Sequence, residues 1–322
     1  MGCANTKHII VPSSKNSTPK WSEKHQPPKI TALNRTTDIE ETMIVIPIWP
    51  NSLMQINIVT LTPTLISISH EIYGECGITP LKENQIMLAG GINCLNNEEV
   101  ASVLIIDLKT IQVTICENMP YPKRRMRLIE KRDTNEVFCI GGNRQIFNFN
   151  SYEIAYNRSF LKYSIDLNKW EELEDIPIGV EYPGAYILGH LVFVTGGARV
   201  ESGDLQTIDL IQIYDLSEKI WKSTDIKLPY PVYFHIAMPI DSLHALVFGG
   251  ASEEEDISET LLISQFGYDS IAEMPCGISP LLPYYSVTFE NSIYTANDSR
   301  QLLCFNRSKR EWKQYEFKDE NQ

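Results

Sequence analysis

Leu191–Trp221 reads LVFVTGGARVESGDLQTIDLIQIYDLSEKIW. A β-branched and aromatic run ends in a glycine pair, Gly196-Gly197. A polar stretch follows, then a second apolar run with Tyr214-Asp215, and Trp221 stands seven residues after the tyrosine. Apolar runs of this length, rich in Val and Ile and bounded by Gly and polar residues, are strand patterns. The same sentence recurs along the chain. Gly90-Gly91 follows IMLA, Gly141-Gly142 follows VFCI and Gly249-Gly250 follows LVF, at intervals of 51, 55 and 53 residues. A fixed period near 50 predicts a ring of repeated blades, a β-propeller.

Six blades fit the length. Blade one is expected over MIVIPI (43–48), LMQINIVTL (53–61) and TLISISHE (64–71), with an innermost strand from KITALN (29–34) or from elsewhere. Blades two to six are expected over about 77–116, 126–173, 184–226, 234–271 and 284–317. In blade six Ala296-Asn297 is expected at the glycine doublet's place. Blade five has no tryptophan after LLISQF. A glycine pair suits a place where neighbouring blades crowd, because glycine takes positive φ and permits close backbone approach. Tyr214, Trp170, Trp221 and Trp312 offer flat surfaces to the next blade.

These doublets and aromatic positions (Tyr214 with Trp221, Trp170 after IDLNK, Phe305 with Trp312) resemble the kelch repeat family, over roughly residues 38–322. The resemblance implies an all-β, six-bladed propeller of four-stranded antiparallel blades. The expected domains are a disordered tail over 1–36 and a propeller over 37–322. The fold hosts many functions and fixes none of them.

The net charge of −13 is divided unevenly. Residues 1–36 carry five more basic than acidic side chains, and the remainder is at −18. An acidic body argues against nucleic acid as a partner. Seven cysteines without a CxxC pair read as reduced thiols. No apolar run reaches the 18 or so residues of a membrane span.

The chain opens MGCANTK, the N-myristoylation pattern, with Gly2 as the free α-amine and Thr6 at the small hydroxyl position. One acyl chain holds a membrane only marginally. Cys3, placed for S-palmitoylation, and the basic tail are expected as the second signal. The opening resembles that of dually acylated proteins such as Src-family kinases and G-protein α subunits. It implies the cytoplasmic side of a membrane.

The loops between second and third strands and between outer and inner strands are long and share one face of the disc. Loops on a rigid scaffold carry recognition. The acidic run Glu253, Glu254, Glu255 and Asp256 and the basic run Lys123, Arg124 and Arg125 are the candidate partner-binding residues of that face. The aromatics of the blade-three insert, Phe147, Phe149, Tyr152, Tyr156 and Phe160, either bind a partner or pack the insert down. The six histidines are scattered. No zinc spacing, phosphate-binding glycine loop or nucleophile elbow occurs. The expected function is a membrane-tethered adaptor acting on a protein partner, monomeric, with no catalysis, cofactor or metal. The alternatives are a soluble kelch protein, for instance one binding the cytoskeleton, and a propeller enzyme acting on a small molecule.

Overall fold

A computed structural model describes residues 43–148, 151–156, 158–201, 204–264, 266–276, 286–297 and 301–317. Gly2, Cys3 and the rest of residues 1–42 lie outside the described residues, as does Phe149. The chain is a six-bladed β-propeller, all strand and turn among the described residues.

Blade one holds β1 (Met43–Ile48), β2 (Ser52–Asn57) and β3 (Thr62–Ser67). Blade two holds β4 (Gly77–Pro80), β5 (Gln85–Ala89), a short hairpin of β6 (Ile92–Asn93) and β7 (Glu98–Glu99), then β8 (Val103–Asp107) and β9 (Val113–Ile115). Blade three holds β10 (Arg127–Lys131), β11 (Glu136–Ile140), the hairpin β12 (Asn143–Asn148) and β13 (Ser151–Tyr156), then β14 (Phe160–Ser164) and β15 (Lys169–Glu172). Blade four holds β16 (Gly184–Leu188), β17 (Leu191–Thr195), the hairpin β18 (Ala198–Glu201) and β19 (Asp204–Thr207), then β20 (Ile211–Asp215) and β21 (Ile220–Lys222). Blade five is β22 (Ile236–Pro239), β23 (His244–Phe248), β24 (Glu259–Ser264) and β25 (Gly267–Glu273). Blade six is β26 (Val287–Phe289), β27 (Ser292–Ala296), β28 (Gln301–Asn306) and β29 (Glu311–Glu316).

Blades two to six are four-stranded antiparallel sheets in simple order. Their second strands are apolar through the middle because both faces of a blade press on neighbours; Val192, Val194, Ile86 and Val137 are all buried. Outer strands are mostly exposed. The apolar clusters run from blade to blade. One joins Val287 and Leu302 of blade six to Ile44 and Ile56 of blade one and on to Ile86 of blade two, so the ring closes. The others join blades two and three, three and four, four and five, and five and six.

Blade one has three strands among the described residues, and they match the second, third and outer strands of the others. In blades two, four and six an Asp or Asn ends the third strand and its side chain accepts the turn's amides, as Asp107 does from Lys109 and Thr110, Asp215 from Ser217 and Glu218, and Asn306 from Lys309; Ser164 and Ser264 take this place in blades three and five. Asn57 at the end of β2 accepts from Val59 and Thr60 in the same way. This is the usual role of Asx side chains in turns. A left-handed residue closes the turns of Asn57, Asp107 and Asp215: Leu61, Ile111 and Lys219. After the outer strands of blades one to five an amide returns to the carbonyl ahead of the third strand. Met119 reaches Ala101, Leu228 reaches Asp209, and in blade one Ile68 reaches Asn51. β1 is therefore a second strand, and the innermost place of blade one is not filled by any described residue.

The registers also move one expectation. Phe305 pairs with Ile293 as Tyr214 pairs with Val192, and Gly196 lies four residues beyond Val192. Asn297, not Ala296, therefore holds the first glycine's place in blade six; Ala296 stands level with Thr195.

Candidate interaction face

The glycine doublets lie where two blades meet. A Cβ on Gly90, Gly141 or Gly196 would stand 2.3 Å from the carbonyl oxygen of Lys123, Val180 or Val232 in the next blade. The amides of Gly91, Gly142 and Gly197 donate to those same carbonyls at 2.8–2.9 Å. The doublet thus fixes the lead-in to the next inner strand. The lead-ins follow one pattern: Glu75, Arg125, Tyr182 and Phe234 each stand two residues before an inner strand, and each has φ between 51° and 62°. Non-glycine residues enter this region at a cost of roughly 1 kcal/mol or more. A chain of hydrogen bonds offsets it, in which Arg125 N–H donates to Glu75 C=O, Tyr182 to Arg125 and Phe234 to Tyr182.

Because the inner strands β4, β10, β16 and β22 stand side by side, these four residues curve round the axis on the doublet face. Arg125 bonds both carboxylate oxygens of Glu75 at 3.0 Å and reaches Glu181 at 3.2 Å. Its guanidinium also lies over the Tyr182 ring, 5.1 Å from the centroid. Tyr182 donates its hydroxyl to Glu75 at 3.0 Å. Arg124 meets Glu75 at 2.7 Å and Glu99 at 3.2 Å. Asn143 Nδ2 donates to Glu181 at 2.5 Å. Three blades are joined through this cluster. Burial works to raise the Glu75 carboxyl, but the hydrogen bonds and charge of Arg125, with the charge of Arg124, outweigh it and hold it below its ordinary value. Burial works against the Arg125 charge too, yet Glu75, Glu181 and the Tyr182 hydroxyl raise its pKa. The Tyr182 hydroxyl is raised by burial and by the Glu75 charge. Aromatic rings continue the arc, with Tyr182 and Phe234 centroids 3.5 Å apart and Tyr233 and Phe234 centroids 4.9 Å apart.

The expected face residues divide. Arg124 and Arg125 stand in this cluster. Lys123 does not face a partner: it is 0% exposed, with Nζ donating to Ser159 Oγ at 2.8 Å. Burial lowers its pKa, with Cys139 alongside. The run of three basic residues turns one side chain inward because Lys123 occupies the position that Val180 and Val232 hold in the next two blades. Glu253 binds the Thr207 amide at 2.9 Å, tying the blade-five loop to the blade-four hairpin. Glu254, Glu255 and Asp256 are exposed. The acidic run bears on the mouth: the Tyr233 hydroxyl is raised by burial first and then by the charges of Asp256, Glu181 and Glu253.

The long loops after the second strands contain the hairpins β6–β7, β12–β13 and β18–β19. Phe147 and Tyr152 are register partners in β12–β13. Phe160 belongs to the core, 0% exposed and 5.0 Å from the Tyr214 ring centroid. Glu75, Glu181, Tyr182, Tyr233 and Phe234 are not singled out by sequence reasoning. Their signal is positional: the residue pair ahead of each inner strand falls at the same place in successive repeats. Among the described residues no group of three His, Cys, Asp or Glu stands together to hold a metal ion.

No protein-family profile matches the sequence. The chain is similar to kelch repeat and BTB domain-containing protein 2 of cowpox virus (strain GRI-90 / Grishak), 27% identical over 137 residues. The match covers 42% of this chain and 22% of that protein. That likeness and the six-bladed ring support a kelch-type propeller.

Proposed function

We propose that this chain is an adaptor whose doublet face takes a protein partner and whose N-terminus holds it at the cytoplasmic leaflet of a membrane. The observation that carries the reading is the concentration of features on one face: the three hairpins, the acidic loop at Glu253–Asp256 and the arc of Glu75, Arg125, Tyr182 and Phe234. A mixed-charge, aromatic surface on a rigid ring suits a polypeptide with its own charge pattern. Aromatic and Arg side chains are the usual anchors of such contacts. The tether rests on Gly2, Cys3 and Thr6 of the opening MGCANTK.

Membrane fractionation of wild type beside Gly2→Ala, with a clickable myristate analogue, tests the tether. The expected result is that wild type labels and pellets while Gly2→Ala stays in the supernatant. If neither labels and both stay soluble, the tether is wrong and a soluble interaction protein remains. For the face, Glu254→Lys with Glu255→Lys changes two exposed side chains. Proximity labelling of partners is expected to lose members in that variant without a change in melting temperature.

A further inference from the structure

We propose that the blade-five side of the doublet face takes a Lys or Arg side chain of the protein partner, seated against the Tyr233 and Phe234 rings beside the acidic loop. The inference rests on the reading of that face as the partner's. The fold already contains one such seat. Arg125 lies over the Tyr182 ring, 5.1 Å from the centroid, with a carboxylate on either side: Glu75 at 3.0 Å and Glu181 at 3.2 Å. The negative face of an aromatic ring attracts a cation, and charge-assisted hydrogen bonds to carboxylates strengthen the hold. One lead-in further round the arc stand Tyr233 and Phe234, with the Tyr233 centroid 6.5 Å from that of Tyr182. All three rings are half-buried, so each keeps part of its surface open.

Carboxylates stand beside these rings too, and the backbone holds them there. Tyr233 and Ala251 exchange both amide-to-carbonyl hydrogen bonds, each at 3.0 Å. Ala251 also bridges to Asp256, and the Ile257 amide donates to Gly250 C=O at 2.8 Å across the base of the loop. Within the loop Ser252 Oγ accepts from the Glu254 and Glu255 amides at 3.2 and 3.1 Å, and Glu253 is tied to the Thr207 amide. The acidic loop is thus fixed against Tyr233, in keeping with the charges of Asp256, Glu181 and Glu253 that add to burial in raising the Tyr233 hydroxyl. The two places differ in what balances the acids. Arg124 and Arg125 meet Glu75, Glu99 and Glu181. Among the described residues no Lys or Arg forms an ion pair with Glu253, Glu254, Glu255 or Asp256. A fixed surface of rings and unbalanced carboxylates attracts a basic segment of polypeptide and turns away an acidic one, since like charges brought together cost affinity.

Random peptides displayed on phage, selected on the immobilised full chain and then synthesised for titration, supply the probe. The selected peptides are expected to share an Arg or Lys. Replacing that Arg by citrulline, or that Lys by norleucine, keeps the shape and removes the charge, and is expected to weaken binding roughly tenfold. Asp256→Asn and Tyr233→Leu are each expected to weaken the unmodified peptide roughly fivefold and to leave the citrulline or norleucine peptide nearly unchanged. Should Tyr233→Leu fail to fold, Asp256→Asn decides alone, because its side chain is exposed. Peptides that share no basic residue, or whose affinity is indifferent to citrulline, norleucine and Asp256→Asn, would overturn the cation seat; if Glu254→Lys with Glu255→Lys still releases them, the face remains the partner's. If no peptide is selected, or none is released by that charge reversal, the seat and the reading of the face fall together.

Discussion

Gly196 and Gly189 both have positive φ, at 53° and 60°, yet they answer to different constraints. A Cβ at Gly189 meets nothing within 4 Å, whereas at Gly196 it meets the Val232 carbonyl at 2.3 Å. Gly189→Ala is expected to lose about 1 kcal/mol from the left-handed backbone alone. Gly196→Ala is expected to lose about 2–4 kcal/mol, because one blade must also move from the next. Urea denaturation of the two variants checks the ordering. His235 makes a second prediction at this scale. It is 1% exposed, its Nε2 lies 2.7 Å from Thr195 Oγ1, and Arg127 is the nearby charge. Burial, helped by the Arg127 charge, pulls its pKa down to about 3. The folded chain therefore holds His235 neutral while the unfolded chain protonates near 6.5. The stability this gives is complete above about pH 6.5 and is lost as pH falls toward about 3. The loss should run at roughly 1.4 kcal/mol per pH unit. Unfolding free energies between pH 7 and 5 are expected to slope in wild type and to be flatter in His235→Gln. The glycines were legible because crowding leaves a residue type behind. Lys123 was not, because a lysine in KRR carries the same letter whether its stem points into solvent or toward Ser159.

The strands were legible as well, since a period of two or an unbroken apolar run follows from whether one or both faces of a blade are covered. What the repeat motif left open is how neighbouring elements are fastened. Trp170 Nε1 donates to Glu117 C=O at 2.9 Å, Trp221 to Glu174 C=O at 2.9 Å, and Trp312 to Thr260 Oγ1 at 2.8 Å. In each case the outer strand of one blade is stapled to the preceding blade. Each indole also packs on the aromatic paired with it: Tyr163, Tyr214 and Phe305, at centroid distances of 4.9, 5.1 and 5.2 Å. Tyr268, paired with Ile263, holds this position in blade five. The two contributions separate by substitution. Trp221→Phe keeps most of the ring contact and strands the Glu174 carbonyl, for an expected loss of about 1 kcal/mol. Trp221→Ala loses the packing as well, for about 3 kcal/mol. Equal losses in thermal unfolding would mean that the indole N–H alone secures the blades. Blade one shows the limit of reading elements from the sequence: MIVIPI and LMQIN are plain strands, but their rank within the blade is carried by Asn57 and Ile68, whose roles emerge only beside the other turns.

At the scale of the whole ring, neighbouring blades could separate without breaking any strand ladder within a blade, so closure depends on contacts between blades. The Glu75–Arg125–Glu181 group is such a contact and spans blades two, three and four. Sequence reading found the arginine and missed its partners, because the glutamates lie 50 and 56 residues away along the chain and meet it only through the shared geometry of the lead-ins. Glu181 is only 4% exposed at its side chain and Glu75 28%, so removing the guanidinium leaves two carboxylates without the cation between them, one of them shielded from solvent. Arg125→Ala is expected to lose about 2–3 kcal/mol, and Glu75→Gln in that background to recover part of it by removing the repulsion. A double-mutant cycle in urea measures the coupling. The pH dependence gives an independent sign. Glu75 titrates below its ordinary value in the fold, so the stability it contributes is present above about pH 4.5 and is lost as pH falls through its lowered folded value. In Arg125→Ala the strongest force holding that pKa down is gone, while the Arg124 charge and the Tyr182 hydroxyl still oppose burial, so the dependence should flatten: the deficit of the variant relative to wild type should shrink as pH falls from 6 to 4. A difference between the two proteins that stays constant across that range would show that Arg125 acts through packing on Tyr182 and Phe234 and not through the charge of Glu75.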